Sequence, residues 1–320
     1  MAWSVVGHEW AVELLWKSIR EGRVSHAYLF TGPPQVGRRT LALNFAQALN
    51  CLEERERPCG KCLSCRKIAT GNHPDVRLIE GEGGRIKIEQ VRQMQRELSL
   101  SLHEGRWKVY ILPDMEGATL EASNCLLKTL EEPPAKTVLL LTATGTEKLL
   151  PTIVSRCQVL SLRVLPVESV ERMLEGRGVD SETAALLARL SGGKPGWALN
   201  ALQDETVLER RRSYLEELVR LSGQNRTARM ATAYKLSQGE PSEALTLLLG
   251  WWRDLLMLKS GCASQITNID YKSLLQAQAE SLTIEQIRDF IRRLQDALRQ
   301  LEENVNPRLA LEVLMLHLPS

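Results

Sequence analysis

The stretch Ala27-Tyr28-Leu29-Phe30-Thr31, followed by Gly32-Pro33-Pro34-Gln35-Val36-Gly37-Arg38-Arg39-Thr40, decides the class of fold. The apolar run stops at Gly32, and a helical pattern from Leu41 to Leu49 follows the turn, which predicts strand, loop and helix. Gly32 and Gly37 keep the spacing of a phosphate-binding loop, but the next two residues change its chemistry. A working loop continues with a lysine that reaches the β and γ phosphates and a Ser or Thr whose hydroxyl holds Mg²⁺. Arg38 and Arg39 stand there instead. A guanidinium is bulkier than an ammonium, and Arg39 cannot ligand a cation. Thr40 comes one position late, so only a shift of register would bring its hydroxyl to a metal. Two readings stay open: a strand-to-helix turn of ancestral shape, or weak nucleotide binding without turnover, since helix N-terminal amides still attract an anion.

Further along, Val109-Tyr110-Ile111-Leu112 and Val138 to Leu141 read as buried strands separated by helical stretches, the alternation of a parallel sheet. The first of these should run into an acidic pair that orients Mg²⁺ and the attacking water, and it runs into Pro113-Asp114. One acid stands where two are expected. Val159 to Leu162 reads as the last strand, and amphipathic helices take over from about Val167 to the end. Gly192-Gly193-Lys194-Pro195-Gly196 breaks this helical half. The expected division is an α/β domain over 1–165, a small helical unit over 166–203 and a larger all-α unit over 204–320.

With 320 residues and 43% hydrophobic content, several cores are expected. The 41 basic and 39 acidic residues leave a net charge of +2, so no bulk positive excess announces nucleic acid and any DNA contact would be local. The first residues carry no basic segment backed by an apolar run, and no stretch is long and apolar enough for a membrane span, so a cytoplasmic protein is expected. The Glu53 to Arg57 charge run reads as a solvated loop.

Four of the seven cysteines cluster: Cys59, Cys62 and Cys65 at two-residue gaps, with Cys51 one short loop upstream. In a reducing compartment such a cluster points to metal rather than disulfides. Tight turns let the thiolates converge on one tetrahedral ion, and four sulfurs leave no position for water, so a structural Zn²⁺ held by a 51–65 module is expected. An iron-sulfur cluster is disfavoured because no second cluster motif lies nearby.

Taken together, Ser25-His26-Ala27-Tyr28-Leu29-Phe30, the cysteine cluster, Asn72-His73-Pro74-Asp75, Leu126-Leu127-Lys128-Thr129-Leu130-Glu131-Glu132-Pro133-Pro134 and Ser155-Arg156-Cys157 make the chain resemble the bacterial clamp-loader subunits of the AAA+ class, most closely their delta-prime branch. The resemblance spans nearly the whole chain. It implies an AAA+ α/β domain with an inserted zinc module, a helical lid and an all-α collar. It also implies a subunit of the DNA polymerase III clamp loader that assists ATP-dependent loading of a sliding clamp on primed DNA, with gamma/tau-type ATPase subunits and the delta subunit as partners and no membrane. Ser155-Arg156-Cys157 matches the motif whose arginine enters a neighbouring subunit's ATP site. A rigid, permanently charged fork suits charge developing on a transferred phosphoryl group. The bland alternative is a surface arginine in an ion pair.

Relative to the motor subunits of that family, Gly193-Lys194-Pro195-Gly196-Trp197-Ala198 has Gly196 where an arginine would touch nucleotide. Loss at the loop, the acidic pair and the lid together leads to the expectation that ATP is neither bound nor hydrolysed. The rivals are an ATPase with an unusual loop and a zinc-dependent DNA-binding module. Leu245, Leu248, Trp251 and Trp252 offer an apolar face for the collar or for a private core. His73, Pro74 and Asp75 are given no chemistry beyond a loop that sets up a strand.

Overall fold

In the computed structural model, which describes residues 3–81, 83–223, 225–303 and 305–319, the buried apolar runs form strands. They are β1 (Ala27–Thr31), β2 (Val76–Leu78), β3 (Lys108–Leu112), β4 (Thr137–Ala143) and β5 (Gln158–Ser161). All pair in parallel in the order β2-β3-β4-β1-β5. β1, β3 and β4 are buried along their whole length because both faces of the sheet are covered. β2, three residues long, is foreshadowed in the sequence only as a strand expected after Asp75.

Side chains of alternate residues leave on opposite faces. Tyr28, Phe30, Val109, Ile111, Val138 and Leu140 form one core with Ala11 and Leu15 of α1 (Glu9–Arg20) and Leu41 and Phe45 of α2 (Arg38–Asn50). On the other face, Leu29, Tyr110, Leu112, Leu139 and Leu141 meet Val91 and Met94 from Ile88–Leu98, and Leu126 and Leu130 from Leu120–Glu131. In chain order, α3 is Leu63–Ala69, these two helices are α4 and α5, and α6 is the short Pro151–Val154. Pro133 and Pro134 follow the end of α5 and enforce its stop.

The Asn72-His73-Pro74-Asp75 motif is a fastening. Asp75, 1% exposed, accepts from the amides of His103, Glu104 and Gly105 at 2.9, 2.9 and 2.7 Å, and so shapes the turn that enters β3. His73 Nδ1 accepts from the Asp75 amide at 3.2 Å.

The chain divides into two compact units, one ending at Met173 and including Gly192–Trp197, the other made of Leu174–Ser191 and the chain from Ala198 on. The break in the helical half is narrower than expected, because Pro195 and Gly196 already belong to a helix. After α7 (Val167–Glu175) come α8 (Ser181–Leu190) and α9 (Pro195–Gln203). The later helices are α10 (Glu205–Arg220), α11 (Arg226–Ser237), α12 (Pro241–Lys259), α13 (Lys272–Ser281), α14 (Ile284–Glu302) and α15 (Pro307–Leu316). In this second unit Leu245, Leu248, Trp251 and Trp252 are only 1–3% exposed, and Trp252 packs on Phe290 with ring centroids 4.4 Å apart. That apolar face is therefore interior to the unit, the private core that the sequence offered beside the collar. Asp254, wholly buried, is satisfied by the amides of Thr267 and Asn268 and by Asn268 Nδ2.

Burial alone would raise the pKa of Asp75, but the amides of His103, Glu104 and Gly105 outweigh it and hold the carboxyl below its ordinary value. A depressed folded pKa gives stability that is present above the unfolded value near ~4 and is lost as pH falls through the folded value. Asp75→Asn is expected to lower stability at pH 7 by about 1–3 kcal/mol and to flatten its decline below pH ~4, measured by urea unfolding across pH. An unchanged acid limb would contradict this role.

Candidate nucleotide loop, finger and metal centre

β1 delivers the chain into Gly32 at the carboxyl edge of the sheet, where open α/β sheets bind ligands. The two glycines of the loop are required by the backbone itself. Gly32 has φ 143°, and a Cβ there would lie 2.4 Å from the Leu162 carbonyl oxygen. Gly37 has φ 110° and precedes the first turn of α2. α2 begins at Arg38, directly after Gly37.

The arginine at the lysine position turns inward. Arg38 is 8% exposed, and its Nη2 donates to Asp114 Oδ1 at 3.0 Å. Its Nη1 is buried without a hydrogen-bond partner among the described residues. Asp114, the one acid after β3, has φ 46°, and its amide donates to Thr142 Oγ1 at 3.0 Å. Arg39 leans outward to Glu80 at 2.6 Å. The loop's carbonyl groups are engaged as well. Gly196 donates its amide to the Gln35 oxygen at 2.9 Å, and His8 Nε2 lies 3.2 Å from the Val36 oxygen. A Cβ on Gly196 would sit 2.8 Å from the Gln35 oxygen, so this approach of backbone to backbone excludes any side chain, arginine included. Burial lowers the pKa of His8, which favours a neutral ring that donates from Nε2 to Val36. Sequence reasoning misses His8, because its contact joins segments far apart in the chain, and it reaches Gly196 only through the family resemblance.

Ser155-Arg156-Cys157 joins α6 to β5. Ile153, wholly buried, pins α6 to the sheet, and Cys157 is packed so that burial pushes its thiol up to about 12, which leaves it protonated and unreactive. Between them Arg156 remains one-third exposed. Its Nη1 donates to the Thr152 oxygen at 2.9 Å and to Ser155 Oγ at 3.3 Å, and its Nη2 to Glu131 Oε1 at 2.7 Å. Arg156 lies outside the loop cluster of its own chain.

The four thiols converge as their spacing predicts: the Sγ atoms of Cys51, Cys59, Cys62 and Cys65 all lie within 4.8 Å of one another. Zn–S bonds of about 2.3 Å in a tetrahedron set sulfurs about 3.8 Å apart, so the cluster fits such an ion with small adjustment. Burial raises the Cys51 and Cys65 thiols. Burial also opposes the Cys59 thiolate, but the amides of Cys62 and Lys61 donate to its sulfur and bring it down to about 7. Cys62 caps α3, receiving the Cys65 amide at 3.4 Å. The module is fastened to the rest of its unit by Gln47 of α2, which donates to the Cys65 oxygen at 2.9 Å, and by the Trp3 indole, which donates to the Arg57 oxygen at 3.0 Å. Bound there, the ion would supply a crosslink among loop, α2 and α3. His73 is buried apart from this set and is not needed by it.

A parallel sheet with a glycine loop after its first strand, a thiol cluster behind the loop helix and an arginine before its last strand define a protein of the open parallel α/β class with a helical C-terminal part. Residues 7–166 match the family described as DNA polymerase III, delta subunit, and residues 205–319 match the family described as the C-terminal part of that delta subunit. The delta-prime subunit of DNA polymerase III from Bacillus subtilis strain 168 is 30% identical over 319 residues, 96% of this chain and 94% of that protein. The delta-prime subunit from Pseudomonas aeruginosa is 35% identical over 254 residues, 76% of this chain and 74% of its own length. The tau subunit of Escherichia coli K12 is 33% identical over 251 residues, which cover 76% of this chain but 37% of that longer protein. The chain belongs to the delta-prime family and is a clamp-loader subunit of DNA polymerase III. Among the described residues, no helix is long and apolar enough to cross a membrane.

Cys62→Ser is expected to reduce metal content from about one zinc per chain and, through Gln47 and Trp3, to lower the thermal midpoint by several degrees. Metal analysis after chelator-free purification, paired with calorimetry, checks this. A wild-type chain free of metal and unaffected by the substitution would contradict it.

Proposed function

We propose that this chain is the non-catalytic, delta-prime-type wall of a clamp loader, which binds no ATP and lends Arg156 to the ATP site of a gamma/tau-type neighbour. The observation that carries the inactive reading is the Arg38–Asp114 contact at 3.0 Å, with Arg38 itself 8% exposed. In a working site a lysine at this place faces phosphate and the acids after β3 face Mg²⁺ and water. Here the two groups neutralise each other, so the charge that would attract phosphate is satisfied inside the chain. Gly196 against Gln35 supports the same reading, because no arginine fits there to touch a nucleotide.

The trans role is supported by the chemistry and placement of Arg156. It is exposed enough to meet a partner, held by short bonds, and mounted between the buried Ile153 and the start of β5. A fork with five donors suits the equatorial oxygens of a phosphoryl group in transfer. In this reading the AAA+ domain spans 1–165, with a structural Zn²⁺ on Cys51, Cys59, Cys62 and Cys65. Residues 166–203 form the lid and 204–320 the collar that assembles with the ATPase and delta subunits. The exposed Leu309, Val313 and Leu316 of α15 are better suited to that contact than the interior tryptophans. The assembled complex would open a sliding clamp and place it on primed DNA.

The test is a clamp loader reconstituted from this chain and its cognate partners. Arg156→Ala is expected to lower DNA-stimulated hydrolysis at the site it serves by at least about tenfold and to slow clamp loading, while the complex still assembles. Unchanged hydrolysis and loading would remove the finger from the account.

A further inference from the structure

Glu131 is the last residue of α5, and Glu132 follows it as the cap. An acidic group at a helix C-terminus opposes the helix dipole, so nothing in the helix itself explains its place. Its carboxylate instead takes the shortest of the contacts made by Arg156, 2.7 Å from Nη2. The opposite edge of the guanidinium is held by the Thr152 oxygen and Ser155 Oγ at 2.9 and 3.3 Å. Two separate elements thus fix the terminal nitrogens of the fork. Both are seated in the core, α5 through Leu130 at 1% exposure and α6 through Ile153 at 0%.

We propose that Glu131 is the positioning residue for Arg156 in the trans reaction. This deepens the finger reading above and rests on it. A long, one-third exposed arginine samples many rotamers, and a finger contributes to phosphoryl transfer only when its donors stand where charge develops. Glu131 selects one orientation before the neighbour's nucleotide arrives. The pair is exposed, with Glu131 half accessible, so it contributes little to folding and removing it leaves the scaffold intact.

The experiment uses the complete clamp loader with primed DNA, clamp and MgATP. Glu131→Ala is expected to lower the kcat of DNA-stimulated hydrolysis about 3- to 10-fold with KM for ATP unchanged within about twofold, because orientation matters in the transition state. Glu131→Gln, which keeps an acceptor at the same place, is expected to recover most of the rate. In an Arg156→Ala background, Glu131→Ala is expected to add nothing, since it acts through the arginine. A thermal midpoint matching wild type confirms that the fold is kept. A wild-type rate for Glu131→Ala beside an impaired Arg156→Ala would overturn this inference and leave the finger standing. An equal loss in both backgrounds would also overturn it, placing the effect of Glu131 elsewhere. A silent Arg156→Ala would remove the finger itself and Glu131 with it.

Discussion

The parallel pairing of β1 between β4 and β5 is the constraint from which the glycine loop and the Arg156 turn of the first unit follow. Ala27 to Thr31 stand opposite Leu139 to Ala143 on one side, and Tyr28 to Thr31 opposite Gln158 to Ser161 on the other. Because both faces are sealed by apolar side chains, a slip of one residue would turn Tyr28 and Phe30 toward the wrong core, so the register is fixed. The end of β1 then dictates where Gly32 and the loop begin, and the start of β5 dictates where Arg156 emerges. One strand sets the distance between the glycine loop and Arg156.

At the loop the glycines meet a backbone requirement, while Arg38 and Asp114 pair with each other. Gly32 and Gly37 remain because the backbone needs them, whether or not a phosphate is bound. The space between α2 and β3 is bridged by Arg38 and Asp114, with Thr142, His8 and Gly196 taking neighbouring polar groups. Arg38 Nη1 is buried without a hydrogen-bond partner among the described residues. The thiol cluster is tied through Gln47 to the same helix that begins at Arg38.

Most of this architecture is legible in the sequence because its signals are local. β1 can be read residue for residue, and the thiol cluster, the stop of α5 at Pro133 and the start of α10 after Asp204 follow from spacing and caps. β2 is too short to show a period, and its place depends on Asp75 capturing amides 28 to 30 residues away. The residues that sequence reasoning misses at the site share that character. His8 reaches Val36 and Glu131 reaches Arg156, and no sequence pattern encodes such partners. Leu245, Leu248, Trp251 and Trp252 show the converse limit: hydrophobic residues announce burial, but not whether against their own chain or another.

In the proposed function Arg38 and Asp114 close the loop to nucleotide. Equilibrium binding of MgATP and of MgADP to the isolated wild-type chain, followed by calorimetry at low salt, tests it most directly. The account predicts no saturable binding at millimolar nucleotide. Stoichiometric binding in the micromolar range would contradict it, because the guanidinium and carboxylate would then have to separate for a phosphate that the closed loop is said to exclude.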